Sequence, residues 1–153
     1  MKFLCDQMLG TLAKWLRIFG FDTFYANSSI VDNEILLLAK KENRILITRD
    51  KELVQKARRD NIKTVDIKTI DLDKQLTRVL DDVDVDKKMI LSRCTICNSI
   101  LEEVNKNKIK DKVPEKVFSN NDVFWFCSNC KKVYWKGSHY DKMVNKINKI
   151  KKI

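Results

Sequence analysis

Two groups of side chains in this sequence could do chemistry at the spacing they have: paired cysteines, and carboxylates at the ends of apolar stretches. Cys94-Thr-Ile-Cys97 and Cys127-Ser-Asn-Cys130 each place two thiolates on one tight turn. Two such turns, with 29 residues between them, can close a tetrahedral shell around zinc. A four-cysteine shell leaves no open coordination position, so the expected zinc is structural; iron is the chemical rival for the same ligands. A pair of redox dithiols is the weaker reading, because neither pair follows a thioredoxin-like strand. The fifth cysteine, Cys5, lies in an apolar run and reads as a small buried side chain.

The carboxylates point to a different chemistry. Asp6 follows the first apolar run, Asp50 follows the run Ile45 to Thr48, and Asp66 ends a third, while Asp32 and Glu34 open a helix and Glu52 lies just past Asp50. In an open parallel sheet, ligands bind beyond the carboxyl ends of the strands. Carboxylates converging there repel one another unless a divalent cation lies among them. Magnesium or manganese held in that way activates water and stabilises the leaving oxygen of a phosphodiester. Taken singly, each acid reads as a helix cap or dipole partner, Asp32 and Asp71 above all. Asp6 is the exception, since it ends a buried strand immediately before a helix.

Other chemistries fit less well. The chain has three glycines, none in a G-x-G or G-K-[ST] setting. A phospho-aspartate site would want an acid two residues after Asp6, where Met8 stands. A Ser–His–Asp hydrolase would have to use the single histidine, His139, far from any nucleophile elbow.

The elements that must position these groups follow from periodicity. Residues 2–5 read as a strand, and Met8, Leu9, Leu12, Trp15, Leu16 and Phe19 recur at helical spacing up to a stop at Gly20. Residues 23–25 read as a second strand. Asp32 is expected to cap a helix that buries Ile35, Leu36, Leu38 and Ala39 and stops near Asn43. Residues 44–48 form a continuous apolar strand, of the kind covered on both faces. A helix over 51–59, a strand over 62–65 and a helix over 71–80 complete the alternation, which predicts an α/β domain with a parallel sheet and helices on both faces. The charged stretch 81–88 has no apolar period, so the expected domains are 1–88 and 89–153. In the second, 105–111 reads as a polar insert, 123–127 and 133–135 as short strands, and 140 onward as a basic helix running into a Lys/Asn/Ile-rich tail from Asn145.

Lys and Arg outnumber Asp and Glu by 31 to 21, a net charge of +10. The excess is +2 over residues 1–88 and +8 over 89–153, as a phosphate-backbone partner or simple solubility would favour. A hydrophobic share of 44% supports a packed core. No apolar run reaches membrane-spanning length and no signal-peptide core is seen, so the expectation is a cytoplasmic protein with no membrane partner.

Three motifs are also familiar in order. They are Asp6-Gln-Met-Leu-Gly-Thr-Leu-Ala-Lys-Trp-Leu-Arg-Ile-Phe-Gly-Phe-Asp22, Ile47-Thr-Arg-Asp-Lys-Glu52, and, after the cysteines, Val133-Tyr-Trp-Lys-Gly-Ser-His139. With the cysteine pairs they resemble the PIN-like ribonuclease family named for the C-terminal domain of the Mut-seven exonuclease. The resemblance runs from Lys2 to about Met143. It implies a PIN-like (Rossmann-like) sheet domain with a small C-terminal zinc ribbon, and RNA cleavage by metal held on acids. By that resemblance Asp6 matches the first acid and Asp50 the acid of the T-x-D motif. Glu34 is the expected helix-borne acid with Asp32 as its rival, and Glu52 and Asp66 compete for the fourth place. Around the zinc it adds Trp135, Gly137, Ser138 and His139. Lys136 and His139 are candidate RNA contacts, with packing of the ribbon core as the simpler role for Trp125 and Trp135. Lys14, Arg17 and Arg49 are placed either against substrate phosphates or in plain solvent. The expected activity is magnesium- or manganese-dependent hydrolysis of RNA, with a ribosome or a protein regulator as further partners. The rival is a catalytically inactive RNA- or ribosome-binding protein.

Overall fold

The computed structural model describes residues 1–151; the last two residues of the basic tail lie outside the described part. The chain forms two compact units, Met1–Asn98 and one from Ser99 onward. In the first, β1 (Lys2–Cys5), β2 (Asp22–Tyr25), β3 (Ile45–Thr48) and β4 (Thr64–Asp66) make a parallel sheet in the order β2-β1-β3-β4. Parallel neighbours require crossovers. These are α1 (Gly10–Ile18, entered through a 3-10 turn at Gln7–Leu9), α2 (Asp32–Glu42) and α3 (Lys51–Arg59), with α4 (Leu72–Leu80) after β4.

The two central strands are buried on both faces, which is why they read as unbroken apolar runs. Leu4 and Leu46 face a cluster built from Ile35, Leu36 and Ala39 of α2 and Leu53 and Ala57 of α3. Side chains alternate along a strand, so Phe3, Cys5 and Ile47, all at most 1% exposed, turn to the other face. The expected burial of Cys5 holds, and desolvation pushes its thiol pKa far up, leaving it an inert core group.

α1, α2 and α3 end in the same way. Gly20 (φ 95°), Asn43 (φ 53°) and Asn61 (φ 58°) are left-handed. The next residue in each case donates its N–H five residues back: Phe21 to Leu16 O, Arg44 to Ala39 O and Ile62 to Ala57 O, at 2.8–3.0 Å. This explains the one misplaced strand. Ile62 is apolar because it closes α3 against the cluster beneath it, and β4 starts at Thr64. At α2 a second expectation needs correcting: Val31 is the cap and Asp32 the first helical residue, so the Asp32 carboxylate is not used on backbone N–H groups. Asp71 does cap α4, accepting from Lys74 N.

A Cβ at Gly20 would lie 2.4 Å from Met89 O and 2.7 Å from Met89 Cβ, in a backbone region L side chains avoid. Gly20→Ala is therefore expected to cost about 2–4 kcal/mol, the sum of left-handed strain and overpacking. Chemical denaturation would read this as a lower midpoint with an unchanged slope.

The second unit has an antiparallel sheet of β5 (Glu102–Val104), β6 (Phe124–Phe126) and β7 (Val133–Tyr134), in that order, with α5 (Glu115–Asn120) and α6 (Ser138–Ile150). Its core is small: Ile109, Phe124 and Val133 are buried, ringed by half-buried Val104, Val113, Val117, Phe118, Phe126 and Trp135. The stretch read as a polar insert is not all surface, because Ile109 within it is 1% exposed. No helix among the described residues is long and apolar enough to cross a membrane.

Candidate functional site

The carboxyl ends of β1 and β3 lie side by side at the centre of the sheet, which brings Asp6 to Thr48. Asp6 N donates to Ile47 O at 3.3 Å, and the Thr48 hydroxyl donates to Asp6 Oδ2 at 2.5 Å. The same hydroxyl accepts from Asp50 N at 3.0 Å. Asp50 caps α3, its Oδ1 accepting from Glu52 N and Leu53 N at 2.9 and 3.3 Å. The T-x-D spacing thus has a physical meaning: threonine joins the two acids, and the second acid is fixed by the helix it starts.

Asp6 is 5% exposed, and its Oδ1 is buried with no hydrogen-bond partner. Burial pushes its pKa above the usual carboxylate range. Hydrogen bonds from Thr48 and from the Met8 N–H act the other way, and the charges of Asp50 and Asp32 push it up again. A buried carboxylate oxygen without a donor, with two further carboxylates close enough to repel it, fits a divalent cation. The raised pKa also fixes a sign. The folded state holds this proton more tightly than the unfolded chain, so the Asp6 contribution to stability falls as pH rises above the unfolded value near 3.9 and through the folded one. In metal-free protein, wild type is expected to lose more melting temperature than Asp6→Asn between pH 4 and 7, and added manganese should restore it only in wild type.

The other acids divide by position. Asp32, at the head of α2, lies 3.9 Å from Lys56 Nζ, and Glu52, largely exposed, lies 3.6 Å from the same nitrogen. Glu34 is exposed and two residues beyond Asp32, which is about 200° around a helix and so on its opposite side. Asp66 ends β4 in register with Thr48 and lines a hollow beside α3. Among the described residues, the carboxylate oxygens do not close up in a group of three as tightly as the sulfurs do.

The four sulfurs of Cys94, Cys97, Cys127 and Cys130 lie within 4.8 Å of one another. The two turns match: Asn98 N donates to Cys94 O at 2.9 Å and Lys131 N to Cys127 O at 2.7 Å, with Asn98 and Lys131 both left-handed. Four soft ligands converging in this way suit zinc.

Arg17, one of the candidate RNA contacts, is buried rather than on a solvent face. Its guanidinium donates to Thr23 O, and to Thr95 O and Ile96 O between the first two cysteines, at 3.0–3.1 Å. Burial lowers its pKa, whereas Cys5, Cys97, Cys94 and Asp22 act to raise it. A fixed cation there would offset the charge of cysteine sulfurs holding a metal. Asn98 reinforces the attachment, accepting from Thr23 N and donating to Asp22 Oδ1, and Arg93 donates to Gly20 O and Asn98 O. The first cysteine turn is therefore built onto α1 and β2.

Of the other candidate contacts, Lys14 is exposed, Arg49 is half-buried with an unpaired Nε, and His139 is exposed in the first turn of α6. Lys136 lies 5.3 Å over Trp125 and 5.0 Å over Tyr140. Trp135 packs against Phe124 in the ribbon core. Sequence reasoning missed the joining role of Thr48, for which the T-x-D spacing was the available signal.

Residues 1–147 match the family model described as the Mut7-C RNAse domain. No curated relative and no solved structure matches the chain. The match takes in the acids at the sheet edge and all four cysteines. The chain belongs to the Mut7-C RNAse domain family.

Proposed function

We propose that this protein hydrolyses RNA phosphodiester bonds at Asp6, Asp50 and Asp32, with magnesium or manganese held among them, and that its four cysteines hold a structural zinc. The supporting observation is Asp6: a carboxylate 5% exposed, with one oxygen lacking any donor and its pKa raised by burial and, less, by two other carboxylates. A divalent cation held there would supply water activation and charge stabilisation on the leaving oxygen. The chain's own groups do the positioning. Thr48 fixes the rotation of the Asp6 carboxylate, and the α3 cap leaves Asp50 Oδ2 free to face the ligand. Lys56 balances charge between Asp32 and Glu52. Lys136 and His139 give the ribbon a means of assisting RNA binding, and Glu52 and Asp66 are outlying acids.

The test is cleavage of single-stranded RNA with and without added manganese. The choice of Asp32 over Glu34 predicts that Asp32→Asn lowers the rate at least about tenfold, the loss expected for one metal-orienting side chain. Glu34→Gln should leave it within a factor of about two, as an exposed surface change would. The reverse order would return the helix-borne role to Glu34. Manganese-independent cleavage, or none at all in zinc-loaded protein, would remove the hydrolytic reading.

A further inference from the structure

Next to the acids, the carboxyl edge of the first sheet runs into two adjoining hollows of about 510 and 350 Å³ that share Arg58, Asp66, Ile67 and Lys68. One wall is a single face of α3, where Lys51, Val54, Gln55 and Arg58 recur at i, i+3, i+4 and i+7. From Lys51 to Arg58 the helix rises about 10 Å. The opposite wall is the segment after β4, with Lys68 and Thr69, and Arg78 of α4 closes the far end. Five cations therefore face one carboxylate, Asp66.

The pairing of charges is uneven across this unit. Arg44 is paired with Asp22 and Glu42, and Lys56 with Asp32 and Glu52. Among the described residues, no carboxylate pairs with Arg49, Lys51, Arg58, Lys68 or Arg78, and Arg49 Nε is buried without a partner. Cations gathered in a concave surface and left without internal partners are suited to an external polyanion. No aromatic side chain lines either hollow, so bases would have nothing to stack on and the contact would be to phosphates.

We infer that this groove is the track for the phosphate backbone of a single-stranded RNA entering the acidic site. The direction of the track rests on the nuclease reading; the binding itself does not. Arg49 and Lys51 flank Asp50 and would hold the phosphates next to the cut, while Arg58, Lys68 and Arg78 would hold those further along. Grip by charge alone makes the track indifferent to base sequence.

The experiment uses full-length, zinc-loaded protein and a short fluorescent oligouridylate, with anisotropy read across a salt series and no magnesium or manganese added. Single-stranded contacts contribute about 0.7 each to the slope of log affinity against log salt. The triple variant Arg58→Gln, Lys68→Gln, Arg78→Gln should lower that slope by about two and weaken binding about tenfold at low salt. A matched ribbon variant, Lys136→Gln, Lys142→Gln, Lys149→Gln, should lower it by less than about one. All six positions are exposed, and an unchanged melting temperature would show that folding is intact. An unchanged slope in the groove variant, or a larger loss in the ribbon variant, overturns the inference. Cleavage is scored separately on the same RNA. A groove variant that loses binding when wild type cuts nothing would sink the nuclease reading alone. Asp6-dependent cutting with an unaltered groove variant would sink the track alone.

Discussion

Cys127→Ser is expected to unfold the chain from residue 99 onward. That unit has strands of three, three and two residues and a hydrophobic cluster centred on three buried side chains, Ile109, Phe124 and Val133. A core of that size supplies too little burial to offset chain entropy. A metal held by the four cysteines would supply the difference, at about 10–16 kcal/mol of binding free energy in comparable small modules. Losing one of four ligands removes most of it, so near-ultraviolet circular dichroism from Trp125 and Trp135 should collapse, and a chelator should reproduce the effect in wild type. A second effect falls within residues 1–98. Thr95 and Ile96, the acceptors for Arg17, lie between Cys94 and Cys97. If that turn loosens, a buried guanidinium loses two of its three partners, at a cost of about 1–3 kcal/mol for each bond left unmade. The melting temperature of the sheet domain should therefore also fall on metal removal, and Arg17→Ala should make it insensitive to the chelator. An unchanged spectrum and melt after chelation would show that the cysteine cluster is not a structural metal site.

Asp6→Asn and Asp50→Asn are each expected to lower RNA cleavage about a hundredfold to a thousandfold. Asparagine keeps the shape and can still accept from Thr48, so the loss isolates the charge. Metal-assisted stabilisation of a transition state is worth several kcal/mol, and each 1.4 kcal/mol is about tenfold in rate. The double variant should be little worse than either single, because groups sharing one ion act as a unit. Both variants should keep their zinc and their affinity for oligouridylate, since neither residue belongs to the cation-lined groove wall. A residual rate equal in all three variants would point to a contaminating nuclease.

Much of this arrangement was legible in the residues. The continuous apolar run of β3 announced a strand covered on both faces, and the acids after β1 and β3 fell at the carboxyl edge because a parallel sheet puts every strand end on the same side. The paired cysteines announced their own cluster. What was not legible depended on tertiary neighbours. Ile62 looks like a strand residue by composition, but Asn61 adopts a left-handed turn and folds it back onto α3. Ile109 sits among lysines and asparagines, with no period to mark it as core. Arg17 lies on the α1 side away from Trp15, which in an isolated helix would be solvent; here Thr95 and Ile96 cover it. Asp32 has the composition of a cap, yet Val31 takes that place and leaves the carboxylate available. The groove cations at 49, 51, 58, 68 and 78 are scattered in sequence, and only the crossover through α3 and β4 assembles them.

The central claim is that Asp6 and Asp50 share one divalent ion, and manganese binding tests it without reference to cleavage. Titrating manganese into zinc-loaded protein, with the free ion followed by electron paramagnetic resonance, should show one saturable site in wild type. That site should be lost in both Asp6→Asn and Asp50→Asn and kept in Glu34→Gln. A site that survives in either aspartate variant, or no site in wild type, would contradict the account.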